Sequence, residues 1–175
     1  MKKYSIFLSG LLLILMFSIA NVNLQNEVNG ETNSTDKDVT VDSIKRLNPE
    51  TLFDSSPLGF SQVVIAPEGD TAYISGQGAF DANGNIIGET FKEQLPIVFK
   101  NIKHALEAID AKPENVVKFQ VFIVNHNEEY LEQLHNETRE FFGNNFPANT
   151  LIPVPRLALD NMLVEIDAIV VIPNK

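Results

Sequence analysis

The sequence contains no cysteine. That removes disulfides, thiolate nucleophiles and Cys-ligated metal sites from the chemistry open to the protein. It also removes the residue on which a lipid anchor would be built after an N-terminal apolar run. Basic residues are scarce: 13 Lys and Arg stand against 23 Asp and Glu, a formal net charge of −10. They are scattered, with no grouping larger than a pair such as Lys45-Arg46. A polyanion partner is therefore not expected, because nucleic-acid binders carry a basic stripe. His104, His126 and His135 form no close pair in sequence, and no metal or cofactor is expected. The apolar run from Ile6 to Ile19 falls short of the roughly 20 residues a membrane span needs.

That run has a different reading. Lys2 and Lys3 precede it, and Ser18-Ile19-Ala20 offers small residues before a cleavage point. This is the layout of a secretory signal peptide. The expected organisation is a signal peptide at 1–20, a flexible polar leader at 21–42 and a folded domain at 43–175. The leader is rich in Asn, Thr and acids, too polar to offset its ordering entropy by burial. The expected location is secreted or periplasmic, with no membrane contact after cleavage. The alternative is an uncleaved anchor.

What is present is one well-patterned domain, with 44% apolar residues to build a core. Leu58–Ala66 and Thr71–Gly78 read as strands joined by a turn at Pro67–Asp70, a hairpin. Thr90–Ile109 reads as a helix, with apolar residues spaced by threes and fours and a capping box at Thr90 and Glu93. Pro96 should kink its first turn or delay its start. Val116–Val124 reads as a strand. Asn127 caps a second helix that Gly143 stops. Thr150–Leu159 and Leu163–Ile172 read as the last strands, and Pro153 and Pro155 make the first of them an edge or locally bulged on their side. The order β-β-α-β-α-β-β gives an α+β sandwich with two helices on one face of the sheet. The other face is left bare, and self-association is the economical cover.

Two features suggest a site. Glu165 and Asp167 stand two apart in a β-branched run, so alternation puts both on the face opposite Val164, Ile166 and Ala168. Gly76 and Gly78 close the second strand, either to admit a ligand close to the backbone or as a bulge.

These residues resemble the Rid/YjgF family, the reactive-intermediate imine/enamine deaminases. The match is carried by Gly59-Phe60-Ser61-Gln62, Ile74-Ser75-Gly76-Gln77, Asp81-x-x-Gly84-x-Ile86-x-Gly88, Asn101-Ile102, Val121-Phe122-Ile123, Phe142-Gly143-x-x-Phe146-Pro147-Ala148 and Val164-Glu165-Ile166-Asp167-Ala168. The resemblance implies a chorismate-mutase-like mixed sheet and a homotrimer with a central barrel. It also implies small-molecule clefts between subunits. Glu165 is the implied catalytic residue, activating water for attack on an imine carbon. Phe60, Ser75, Gly76, Asn127, Asn149 and Leu151 are the implied substrate-binding set. The family's carboxylate-binding Arg follows Phe-Pro-Ala; here that position is Asn149, which carries no charge. Arg156 lies seven residues on, an odd step that turns it to the other face unless a bulge intervenes.

Three functions follow from these residues. One is hydrolytic deamination of 2-imino or enamine acids, weakened or altered by the missing Arg. Another is a non-catalytic trimer binding a small molecule that lacks a carboxylate. The third is endoribonuclease activity, which the family's older name suggests and the charge of −10 opposes.

Overall fold

A computed structural model of the protein describes residues 43–174. The expected signal peptide and leader lie outside the described residues. In chain order the elements are β1 (Lys45–Leu47), β2 (Val63–Ile65), β3 (Gly69–Gln77), α1 (Phe91–Glu107), β4 (Val116–Val124), α2 (Glu128–Phe142), β5 (Ala148–Val154) and β6 (Val164–Pro173). One 3₁₀ turn (Ser56–Leu58) precedes β2 and another (Pro113–Asn115) precedes β4.

The main sheet runs β3-β6-β4-β5. β6 is antiparallel to both of its neighbours, and β4 and β5 are parallel across the α2 connection. β5 is an edge strand, where Pro153 costs no ladder bond on its open side. The architecture is the expected α+β sandwich with a mixed sheet.

The expected hairpin does not form. β2 is three residues long and pairs with β1, whereas β3 pairs along its length with β6. The chain before β2 is taken up by the turn at Ser56–Leu58, which Gly59 closes at a φ of 78°. Ser61 is then drawn to the start of β5 by a bridge to Ala148. A nine-residue strand needs a partner of its own length, and β6 supplies it.

Thr90 and Glu93 form the expected capping box. Thr90 Oγ1 accepts from the Glu93 N–H at 3.3 Å, and Glu93 Oε2 accepts from the Thr90 N–H at 3.1 Å. That box fixes the start of α1 at Phe91, and the helix runs unbroken through Pro96. Pro96 is exposed, so water can serve the carbonyl that its missing N–H leaves free.

The core lies between the helices and one face of the sheet. Val98 and Ile102 of α1 meet Phe119, Val121 and Ile123 of β4 and the alternate residues of β6, all buried. Each such side chain contributes about 1.5–3 kcal/mol through removal from water. Phe119 packs on Phe142 of α2 with ring centroids 5.2 Å apart, and Phe91 of α1 stacks on Tyr130 of α2 at 4.2 Å. Both helices thus cover the same face. On the other face Tyr73 is 78% exposed.

Candidate functional site

The candidate residues fall into two half-sites. The first is built on β6. Val164, Ile166 and Ala168 are buried, and Glu165 and Asp167 between them are partly exposed. Glu165 lies opposite Phe122 and Asp167 opposite Gln120, so both acids stand on the helix-free face. On β3 the register slips between Ile74 and Gln77, leaving Ser75 and Gly76 opposite the single Asp167. This is a β-bulge. It also serves a close approach: a Cβ on Gly76 would overlap Glu165 Oε1 and lie 2.7 Å from Cδ. The carboxylate rests where the glycine has no side chain. Beside it is a cavity of about 380 Å³ lined by Ser75, Gly76, Lys118, Gln120 and Asp167, with Tyr73 at its edge. Lys118 and Gln120 were not among the sequence candidates. The alternation of β4 is the signal that points to them, since Phe119, Val121 and Ile123 enter the core.

The second half-site is built on β5, α2 and the loop before β2. The loop is held by Ser61, whose N–H donates to the Pro147 carbonyl at 3.0 Å and whose Oγ donates to the Phe146 carbonyl at 2.6 Å. Ser55 Oγ donates to the Phe60 carbonyl at 2.7 Å. Phe60, Asn149 and Leu151 thereby line one cavity of about 240 Å³. Its other wall is a helical stripe at i, i+3, i+4 and i+7: Leu131, Leu134, His135 and Thr138. Asn149 Nδ2 is shut off from solvent and has no hydrogen-bond partner.

His135 is half-buried. Its imidazole pKa is held below the ordinary value of 6.5, chiefly by burial and further by Arg139 one turn on. A lowered pKa means the unfolded chain takes up the proton first. Stability tied to neutral His135 is therefore present above pH 6.5 and is lost as pH falls below it. The loss of stability between about pH 7 and 5.5 should be smaller in His135→Gln than in the parent, read from urea midpoints at matched protein concentration. Equal pH dependence would show that the imidazole titrates as in the unfolded chain.

Asn127 lines neither cavity. Its Oδ1 accepts from the Tyr130 N–H at 2.9 Å, which caps α2. Arg156 lines neither cavity and pairs with Asp160 at 2.9 Å on the surface.

The two half-sites do not meet within one chain. Asn149 lies opposite Phe119 and Leu151 opposite Val121, so both stand on the helix side. Glu165 stands on the other. Between β5 and β6 there are two strand spacings, roughly 10 Å, and three residues along the strand add about as much again. Among the described residues no three His, Asp or Glu side chains converge as metal ligands. No described helix is long and apolar enough to cross a membrane.

Comparison with known proteins adds a consistent set of relatives. The family model described as endoribonuclease L-PSP matches residues 55–172. The chain is 36% identical over 118 residues to a 2-iminobutanoate/2-iminopropanoate deaminase of Dermatophagoides farinae, covering 66% of this chain and 88% of that one. It is 34% identical over 115 residues to a RutC family protein of Pyrococcus horikoshii, covering 65% and 87%. Among solved structures, a Rid family protein of unknown function from Yersinia pestis superposes with a TM-score of 0.72 at 35% identity, covering 74% of this chain and 99% of that one. RidA from an Antarctic Psychrobacter superposes at 0.54 with 32% identity, covering 65% and 88%.

Proposed function

The chain belongs to the Rid/YjgF family, which the endoribonuclease L-PSP model describes, and on that footing we propose that it is an exported homotrimer with small-molecule clefts between subunits. Its ancestral chemistry is hydrolytic deamination of 2-imino or enamine acids, with carboxylate capture weakened at Asn149. The observation that carries this is the division of the candidate residues between two faces of one sheet. A cleft holding both Asn149 and Glu165 needs two copies, the β5 side of one facing the Gly76–Glu165 side of the next. The uncovered sheet face supports the same assembly. Export is supported by the composition of residues 1–42.

In this cleft Glu165 takes a proton from a water molecule as the water oxygen bonds to the imine carbon. The proton passes to nitrogen to give a carbinolamine, the hydroxyl proton then follows it to nitrogen as the carbonyl forms and the carbon–nitrogen bond breaks, and ammonia leaves an oxo acid behind. Gly76 lets the carboxylate lie against the strand. An Arg at position 149 would add a bidentate, charge-assisted pair to the substrate. Its absence is worth about 2–4 kcal/mol, or roughly 30- to 1,000-fold in substrate capture. A second reading, ligand binding without turnover, draws on Asn149, an uncharged amide on the wall of the second cavity.

The test couples an amino-acid oxidase to imine hydrolysis and adds sedimentation. The protein should run as a trimer. Glu165→Gln should lower turnover at least about 100-fold, and Asn149→Arg should raise it about 30-fold or more. A stable monomer, or turnover indifferent to Glu165, overturns the reading. RNA cleavage that follows Glu165 through repurification would favour the ribonuclease instead.

A further inference from the structure

A third cavity lies outside both half-sites. It is a groove of about 710 Å³ between α1 and the loop that follows β3, larger than the two already described. Neither Glu165 nor Asn149 lines it. The loop is fastened to the helix, because Asn101 Nδ2 donates to the carbonyls of Gly78 at 2.9 Å and Phe80 at 3.0 Å. The groove is thus formed before any ligand arrives. Phe80, Ile87 and Ile97 give it an apolar surface. An apolar cavity of this size with a few polar groups on its wall is the usual setting for a small organic ligand. The charges on it are unevenly committed. Asp81 is occupied within its own turn: Oδ1 accepts from the N–H groups of Asn83 and Asn85, both at 2.8 Å, and Oδ2 accepts from Asn85 Nδ2 at 3.0 Å. Lys100 and His104, one turn apart on the helix wall, are exposed to the groove. Lys103 pairs with Glu107 at the next turn. Lys100 has Pro96 and His104 at the same spacing, and Ile97 and Lys103 three residues away, so its helix offers it no acid. Among the described residues it enters no ion pair.

We infer that this groove binds a small monocarboxylate with an apolar body. The carboxylate lies on Lys100, with the His104 imidazole beside it as a further N–H donor. The body lies against Phe80, Ile87 and Ile97. The groove also reaches the bulge of β3. Gln77 lines it, and Gln77 Nε2 donates to the Ser75 carbonyl at 3.0 Å. A ligand in the groove is therefore felt at Ser75-Gly76, where the Glu165 carboxylate rests. The inference stands apart from the deaminase reading, since none of the residues given a role there lines the groove.

The probes are 3-phenylpropanoate and 3-phenylpropanamide, alike in shape and different in charge. Binding of each to the full protein is followed by NMR at pH 7.5 and about 0.1 M salt, where charges more than about 10 Å away are screened. The acid should bind about five-fold more tightly than the amide, the gap that one exposed ion pair supplies. It should shift the ring protons of His104, the side-chain amide of Gln77 and the backbone N–H of Gly76. Lys100→Gln, a surface change outside the candidate site, should bring the acid down to the amide and leave imine turnover as it was. Equal or tighter binding of the amide overturns the inference. So does the failure of both probes to bind at about 10 mM. An acid preference that survives Lys100→Gln, or that leaves His104 unmoved, overturns it too, because that acid sits elsewhere. Turnover is scored separately. A Lys100-dependent preference without any imine hydrolysis keeps this inference and removes the deaminase reading; hydrolysis without that preference does the reverse.

Discussion

Gly76→Ala should lower imine turnover about 100-fold while changing folding stability by less than about 1 kcal/mol. The added Cβ occupies the place of Glu165 Oε1 and comes within 2.7 Å of Cδ and 3.0 Å of Cγ. A contact that close cannot persist, so one partner moves. The backbone of β3 is held by its ladder with β6 on both sides of the bulge. The Glu165 carboxylate ends a flexible side chain, and it is the part that gives. The fold therefore survives, and the acid is displaced by an ångström or more from the place where it meets water. Misplacement on that scale costs about two orders of magnitude in rate. A double-mutant cycle separates this from general damage. If Gly76 acts through Glu165 alone, adding Gly76→Ala to Glu165→Gln changes nothing further. Full additivity, or undiminished turnover in Gly76→Ala, would mean that the glycine is kept for the bulge and not for the carboxylate.

Much of this geometry was written in local patterns. Alternation along 163–171 sends Val164, Ile166 and Ala168 inward and Glu165 outward. The Thr90–Glu93 box marks the start of α1, and the prolines suit β5 to an edge. Each of these depends on a few neighbouring residues. What could not be read depends on pairing across the chain. The turn signals at Pro67–Asp70 suit a hairpin, but β3 is claimed by a strand almost a hundred residues away, because that strand matches its length. The faces of Asn149 and Glu165 are each legible within their own strands. Their opposition is not, because it is set by the register of both strands on β4. His135 looks like a surface residue in helix periodicity alone. It becomes a wall of a cavity because the loop ending in Phe60 is fastened to the start of β5 by Ser61. At Ser75-Gly76 the sequence left a choice between a bulge and a close approach, and the two turn out to be one feature.

Gln94 is the residue that sequence reasoning passed over at greatest cost. It is a polar residue in the apolar stripe of α1, 1% exposed. Its Nε2 donates to the carbonyls of Gly88 at 3.0 Å and Asn161 at 2.7 Å, and its Oε1 accepts from the Leu163 N–H at 2.9 Å. One amide thus ties the helix to the turn before it and to the entry of β6. Gln94→Leu keeps the volume and takes away the partner of three backbone groups that the buried Gln94 amide serves. Each stranded group costs about 1–3 kcal/mol, so the variant should lose at least about 3 kcal/mol. That corresponds to a fall in Tm on the order of 10–15 °C for a domain of this size, measured at fixed protein concentration because assembly adds to stability. Gln94→Glu should do no better, since two carbonyls would then face an acceptor where they now receive donors. The damage reaches function by a different route from that of Gly76. Leu163 stands two residues before Glu165, and its carbonyl also accepts from the Val124 N–H at 3.0 Å. Freeing its N–H loosens the end of β6 that sets the height of the acid. Turnover in Gln94→Leu should therefore fall together with Tm and recover on cooling, whereas in Gly76→Ala it should stay low at every temperature. A Gln94→Leu protein that melts within about 2 °C of the parent would show that water reaches these three groups, and that the entry of β6 is held by its strand pairing alone.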